Sequence, residues 1–119
     1  MREFITLFRA LSDGTRLRIV KLLENGELCV CHLMEILEMS QSRISRHMGL
    51  LKNAGLVNDR REGRWVHYSL NEETHKPGRA ELIRLLQGWL EEEAVVAADR
   101  RRLVECLARL RAERVVEVS

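Results

Sequence analysis

The chain has 119 residues, with 20 basic and 18 acidic side chains, a formal net charge of +2 and 45% hydrophobic residues. That is one domain's length with material for a core, and two Phe, two Trp and one Tyr leave that core mainly aliphatic. The charge balance is too even to establish nucleic-acid binding, so clustering has to decide it. No apolar run approaches the ~18 residues of a membrane span and no charged-then-apolar leader opens the chain, so a soluble cytoplasmic protein is expected. Three cysteines, an odd count without secretory context, point to free thiols, metal ligands or a redox pair rather than a disulfide framework.

Residues 3–11, "EFITLFRAL", place Phe4, Leu7, Phe8 and Leu11 on one helical stripe. Ser12 or Asp13 can cap a second helix running to about Glu24, with Leu17, Val20 and Leu23 inward and a stop at Gly26. A third helix is expected over about 29–38, with Leu33, Ile36 and Leu37 inward. After "EMSQS", which offers Ser40 and Ser42 as caps, a fourth runs from about 42 to 53 and ends at Gly55. "LVNDRR" and "RWVHYSL" read as two strands joined at Glu62-Gly63. Pro77 breaks the pattern. Residues 79–113 are then almost all helix formers, in one helix or two, with stripes at Leu82, Leu86, Trp89 and at Leu103, Cys106, Leu107, Leu110. No internal repeat or low-complexity segment is present.

Two helices about three residues apart, followed by a two-stranded hairpin, describe a mainly α winged helix-turn-helix with a small β-hairpin. In one domain of 1–119, residues 28–55 form the helix-turn-helix and 56–70 the wing. Residues 1–12 and 79–119 are expected to be dimerisation helices, because their apolar stripes exceed what one small domain leaves in water. On the fourth helix, Ile44, Met48, Leu51 and Leu50 can pack inward. Gln41, Ser42, Arg43, Ser45, Arg46 and His47 then cluster toward its start, where a recognition helix meets base edges and phosphates. Arg can grip guanine, Gln adenine, and Ser a base or a phosphate. Arg60, Arg61 and Arg64 at the hairpin tip are the candidate phosphate or minor-groove contacts.

"ALSDGTRLRIVKLL", "GELCVCHL", "MSQSRISRHMGLLKNAGLV" and "REGRWVHYSL" resemble the ArsR (ArsR/SmtB) family of bacterial winged-helix repressors, densely over about residues 4–70. "ELCVC" ahead of the recognition helix resembles the arsenical-sensing branch. The resemblance implies a homodimer, built on the first and C-terminal helices, that binds a double-stranded operator upstream of resistance genes. It implies no required cofactor. The inducer would be As(III), Sb(III) or a trivalent organoarsenical, held by cysteine thiolates. Gly14 stands where the family pattern has proline, and Met34 where the branch often has a third cysteine. Residues 79–110 contain no histidine, which argues against the family's other sensor site, a zinc site using the C-terminal helix.

Soft trivalent arsenic prefers thiolate sulfur. In a regular helix Cys29 and Cys31 point roughly 200° apart, so joint ligation requires the helix's first turn to unwind, which would move the recognition helix. Cys106 is either a third ligand, from its own or the other protomer, or a packed interface cysteine. His32 is a possible ligand, a modifier of thiol acidity or a surface residue; His47, His67 and His75 look scattered, with His67 assigned to the wing strand. Two other triggers fit the same residues: thiol redox or persulfide chemistry pairing Cys29 or Cys31 with Cys106, and a soft cation such as cadmium or lead. An enzyme is not expected, since no C-x-x-C, phosphate-cradling loop or nucleophile with a partnered base is present.

Overall fold

The computed structural model describes residues 1–118, with side chains through Glu113. The last residues of the segment expected to dimerise, 114–119, therefore lie outside the described side chains.

Helix α1 (Arg2–Leu11) buries Leu7 and Ala10 and leaves Phe4, Ile5 and Phe8 exposed. Asp13 caps α2 (Gly14–Leu23), its carboxylate accepting the Arg16 N–H at 3.0 Å. Helix α2 is the centre of the core, with Ile19, Val20, Leu22 and Leu23 buried. Its Lys21 is buried too, and its ammonium donates to the Leu86 carbonyl at 2.7 Å and to Glu24 at 2.9 Å. A buried cation needs such partners, and this one fastens α2 to the C-terminal helices.

Helices α3 (Val30–Leu37) and α4 (Gln41–Asn53) are joined by three residues. Glu38 makes the turn in the left-handed region, at φ 54°, and the Ser40 hydroxyl caps α4 by accepting the Arg43 N–H. Leu33, Ile36 and Leu37 meet Ile44, Met48 and Leu51 in the same core. Leu50 departs from expectation: it is exposed, on the solvent side of α4. Gly55, at φ 81°, turns the chain into the wing.

The wing has a third strand. Strands β2 (Val57–Glu62) and β3 (Trp65–Leu70) pair antiparallel from Val57↔Leu70 to Glu62↔Trp65, with the turn at Gly63-Arg64, one residue later than the sequence suggested. A two-residue strand β1 (Leu28–Cys29) pairs with the other edge of β3, Leu28↔Tyr68 and Cys29↔His67, giving the order β1-β3-β2. The expected helix start at 29 is therefore corrected to Val30.

The C-terminal segment is two helices, α5 (Arg79–Gln87) and α6 (Ala94–Val118). Gly88 follows α5, and Leu90 takes φ 66° in the break. Helix α6 lies across α2 and α3. Arg18 bonds Asp99 at 2.8 and 2.9 Å, Arg102 donates to the Ile36 carbonyl and pairs with Glu38, and Arg109 pairs with Glu35. Among the described residues, no helix is long and apolar enough to cross a membrane.

Candidate functional site

Cys29 ends β1 in extended conformation, at φ −71° and ψ 149°, and is the N-cap of α3. The Cys31 N–H donates to its Sγ at 3.4 Å, and its own N–H donates to His32 Nδ1 at 3.2 Å. Cys29 and His32 thus cap the helix reciprocally. This corrects the expectation drawn from helical geometry. Cys29 belongs to the strand and only Cys31 to the helix, so their side-chain directions are not those of two residues in one regular helix.

The thiols open into a cavity of about 470 Å³. His32 and His67 line it beside them, Trp65 stands at one side, and α6 closes the far wall with Leu107 and Leu110. Burial pushes the Cys31 thiol up to about 11, and hydrogen bonding to the neighbouring Cys29 adds to the rise. Burial lowers the His32 imidazole, and the neighbouring His67 lowers it further. The two histidines that looked unrelated in the sequence come together because β1 sets Cys29 opposite His67. The pleated pairing of "LC" with "HY" was the only signal for this, and two residues are too few to announce a strand. Among the described residues, no group of three or more His, Cys, Asp or Glu side chains is arranged to hold a metal ion.

Cys106 is buried elsewhere. It lines a separate cavity of about 200 Å³ with Glu35, Ile36 and Arg109. Burial and its bond to Glu35 push its thiol up to about 11, and Arg109 donates to its sulfur at 3.8 Å. Within one protomer it lines this second cavity, whereas its neighbours Leu107 and Leu110 on α6 line the one that Cys29 and Cys31 share.

On α4, Gln41, Ser42, Arg43, Ser45 and Arg46 are all exposed. His47 is not part of that surface: it is partly buried, with Nδ1 3.2 Å from an Arg16 guanidinium nitrogen and 3.9 Å from Asp13. Burial lowers its imidazole below the usual histidine range, with Arg16, Arg43 and Arg46 lowering it further against Asp13. On the wing, Arg61 is exposed and Arg64 stacks over the Trp65 ring at 5.2 Å. Arg60 is exposed and pairs with Glu27 at 2.6 Å and Glu62 at 2.9 Å.

Residues 13–59 match the family described as bacterial regulatory protein, arsR family. An arsenical resistance operon repressor of Escherichia coli (strain K12) is 50% identical over 95 residues, 79% of each chain. An arsenic resistance transcriptional regulator of Pseudomonas putida is 42% identical over 106 residues, 83% of each. Among solved structures, a homodimeric winged helix-turn-helix DNA-binding domain from Mycobacterium bovis, a possible ArsR-family regulator, superposes with a TM-score of 0.63 at 32% identity. The match covers 73% of this chain and 77% of that one.

Proposed function

The chain belongs to the ArsR family of bacterial transcriptional regulators, and from that premise we propose how it works: a homodimeric repressor that leaves its operator when a trivalent arsenical is held by Cys29 and Cys31. The family and its arsenical-resistance relatives make the chain a DNA-binding repressor responding to arsenic. The residues in each role are our reading.

The observation that carries the reading is two thiols lining one cavity, one capping and one within the first turn of the first helix of the helix-turn-helix. Their chemistry favours an arsenic hydroxide. As(OH)3 condensing with two thiols forms two As–S bonds, breaks two As–OH bonds and releases two waters, which carry off both thiol protons. A thiol raised to about 11 is therefore no obstacle at neutral pH. A divalent cation gains no such water and must displace the protons itself, so the same raised thiol works against cadmium or lead. The thiol redox alternative needs Cys106, which faces a different cavity of the protomer.

The DNA surface in this reading is Gln41, Ser42, Arg43, Ser45 and Arg46 in the major groove, with Arg61 and Arg64 on the backbone or minor groove. Dimerisation is supported by the exposed Phe4, Ile5 and Phe8 of α1 together with Leu85 of α5, Trp89 in the break after it and Val104 of α6. A two-fold dimer suits half-sites about one helical turn apart, or a multiple of that.

The test is an operator-release titration with arsenite, methylarsenite, cadmium, zinc and persulfide. Release by the arsenicals, lost in Cys29→Ser and Cys31→Ser proteins that still bind DNA, is the expected result. Release by persulfide but by no arsenical would overturn the reading.

A further inference from the structure

The basic side chains divide by whether a carboxylate cancels their charge. Arg18 lies 2.8 Å from Asp99, Lys52 2.9 Å from Asp59, and Arg60 2.6 Å from Glu27. Arg84, Arg100, Arg102 and Arg109 also have acidic partners. A second set has no carboxylate within ion-pair distance among the described residues. Arg101 and Arg111 stand apart on α6. Arg43, Arg46, Arg61 and Arg64 are the reading face and wing tip. All the others lie together, in a groove between α1 and the C-terminal half of α4.

The groove joins two cavities, of about 440 and 230 Å³, which share Thr6 and Asn53 as lining residues. Arg9 and Arg16 line the first, beside Leu50; Arg2, Lys76 and Arg79 line the second. Arg16 donates to the Ala10 and Arg9 carbonyls, and the buried Arg79 to the Ala54 and Pro77 carbonyls. Carbonyl oxygens satisfy a guanidinium's donors but carry no net charge, so both cations remain positive at the groove floor. Arg2, Arg9 and Lys76 are exposed. The opposing charges are Glu3 in the lining and Asp13, which faces Arg16.

We propose that this groove seats the phosphate backbone of the operator beyond the bases read from the start of α4; the inference rests on the DNA-binding reading above. Leu50 and Asn53 belong to the same helix as Gln41 and Arg46. From Gln41 to Asn53 the rise is about 18 Å, roughly five base-pair steps. From Arg2 to Arg9 it is about 10 Å, the axial length of about three phosphates on one strand. An extended polyanion fits a row of separate cations better than a single small anion does. The stripe Arg2, Thr6, Arg9 lies about 120° round α1 from the middle of the apolar stripe Phe4, Ile5, Phe8, whose Phe4 ring lies 5.8 Å from the Arg79 guanidinium at the groove's edge.

The experiment compares wild type with an Arg2→Ala/Arg9→Ala/Lys76→Ala protein, on a random-sequence duplex spanning two half-sites and on an operator selected from a random pool. Three lost phosphate contacts should reduce the slope of log affinity against log salt by about 2.7 on both duplexes. The affinity lost on a fourfold rise in salt then shrinks by about 40-fold, while the preference for the operator is retained. An unchanged slope, with Arg46→Ala still losing operator preference, overturns the groove and leaves the DNA-binding reading standing. Wild type binding no duplex at all overturns both. All three substituted side chains are exposed, and an unchanged thermal midpoint verifies that the fold is intact.

Discussion

Changing the pH should separate an arsenical from a divalent cation at the Cys29–Cys31 site. With its thiol near 11, Cys31 is ionised to about one part in ten thousand at pH 7, and that fraction rises tenfold per pH unit. Cadmium binding must release that proton. Its affinity should therefore rise at least tenfold per unit between about pH 6 and 8. Arsenite and methylarsenite release water instead of protons, so their affinities should stay within about threefold across the window. The sign follows from the raised thiol: the neutral form is favoured in the folded protein, which penalises only ligands needing the thiolate beforehand. His32 is lowered below its ordinary value, so it stays largely neutral over most of the window. The assay is direct binding, read from Trp65 emission in a Trp89→Phe background, because Trp65 lines the cavity and Trp89 does not. An arsenite affinity climbing tenfold per pH unit alongside cadmium would refute the condensation chemistry.

Cys29→Ser and Cys31→Ser should each give a repressor that holds its operator at any arsenite concentration, measured by fluorescence anisotropy. Cys106→Ser, changed in a separate cavity, should release normally. Arg46→Ala and Gln41→Ala should each lose about 1–3 kcal/mol of operator discrimination in competition binding. Arg64→Ala should reduce the salt slope by about 0.9, whereas Arg60→Ala, whose charge Glu27 and Glu62 already cancel, should leave it nearly unchanged. Arg18→Met leaves the Asp99 carboxylate, 4% exposed, without its ion pair. That should cost about 3–5 kcal/mol in urea unfolding, most of it recovered in the Arg18→Met/Asp99→Leu double variant.

The parts legible in the sequence are those fixed by neighbours in the chain. The cap pairs Ser12/Asp13 and Ser40/Ser42 marked the helix starts, with Asp13 and Ser40 doing the capping, Ile44, Met48 and Leu51 marked the buried face, and the Val, Trp and Tyr content flanking Glu62-Gly63 marked the hairpin. What was missed depends on one non-local contact, that of β1 with β3, formed by two residues about forty positions from their partners. That contact removes Cys29 from the helix and invalidates the argument from helical directions. It also places His67 at the thiol cavity, and brings Glu27, the residue before β1, to Arg60. The break between α5 and α6 had a visible signal in Gly88 and the acidic run 91–93, but the helix-forming residues on either side outweighed it. The burial of His47 depends on Arg16, 31 residues away, and no local pattern announces it.

The Cys29 sulfur has two employments, as acceptor for the Cys31 N–H and as proposed ligand. A sulfur engaged with arsenic is a poorer acceptor, so the inducer erodes the cap of α3. Caps contribute about 1 kcal/mol, and a weak sulfur acceptor no more than that. Loss of the cap alone thus limits the coupling free energy between inducer and DNA to a change of about fivefold in operator affinity. Any larger change has to come from differential contacts elsewhere in the cavity, and the facing wall of α6, at Leu107 and Leu110, is the one built on a helix expected to dimerise. By reciprocity, the operator must weaken the inducer's hold by the same factor, so a repressor on its promoter senses less arsenic than the same repressor free in solution.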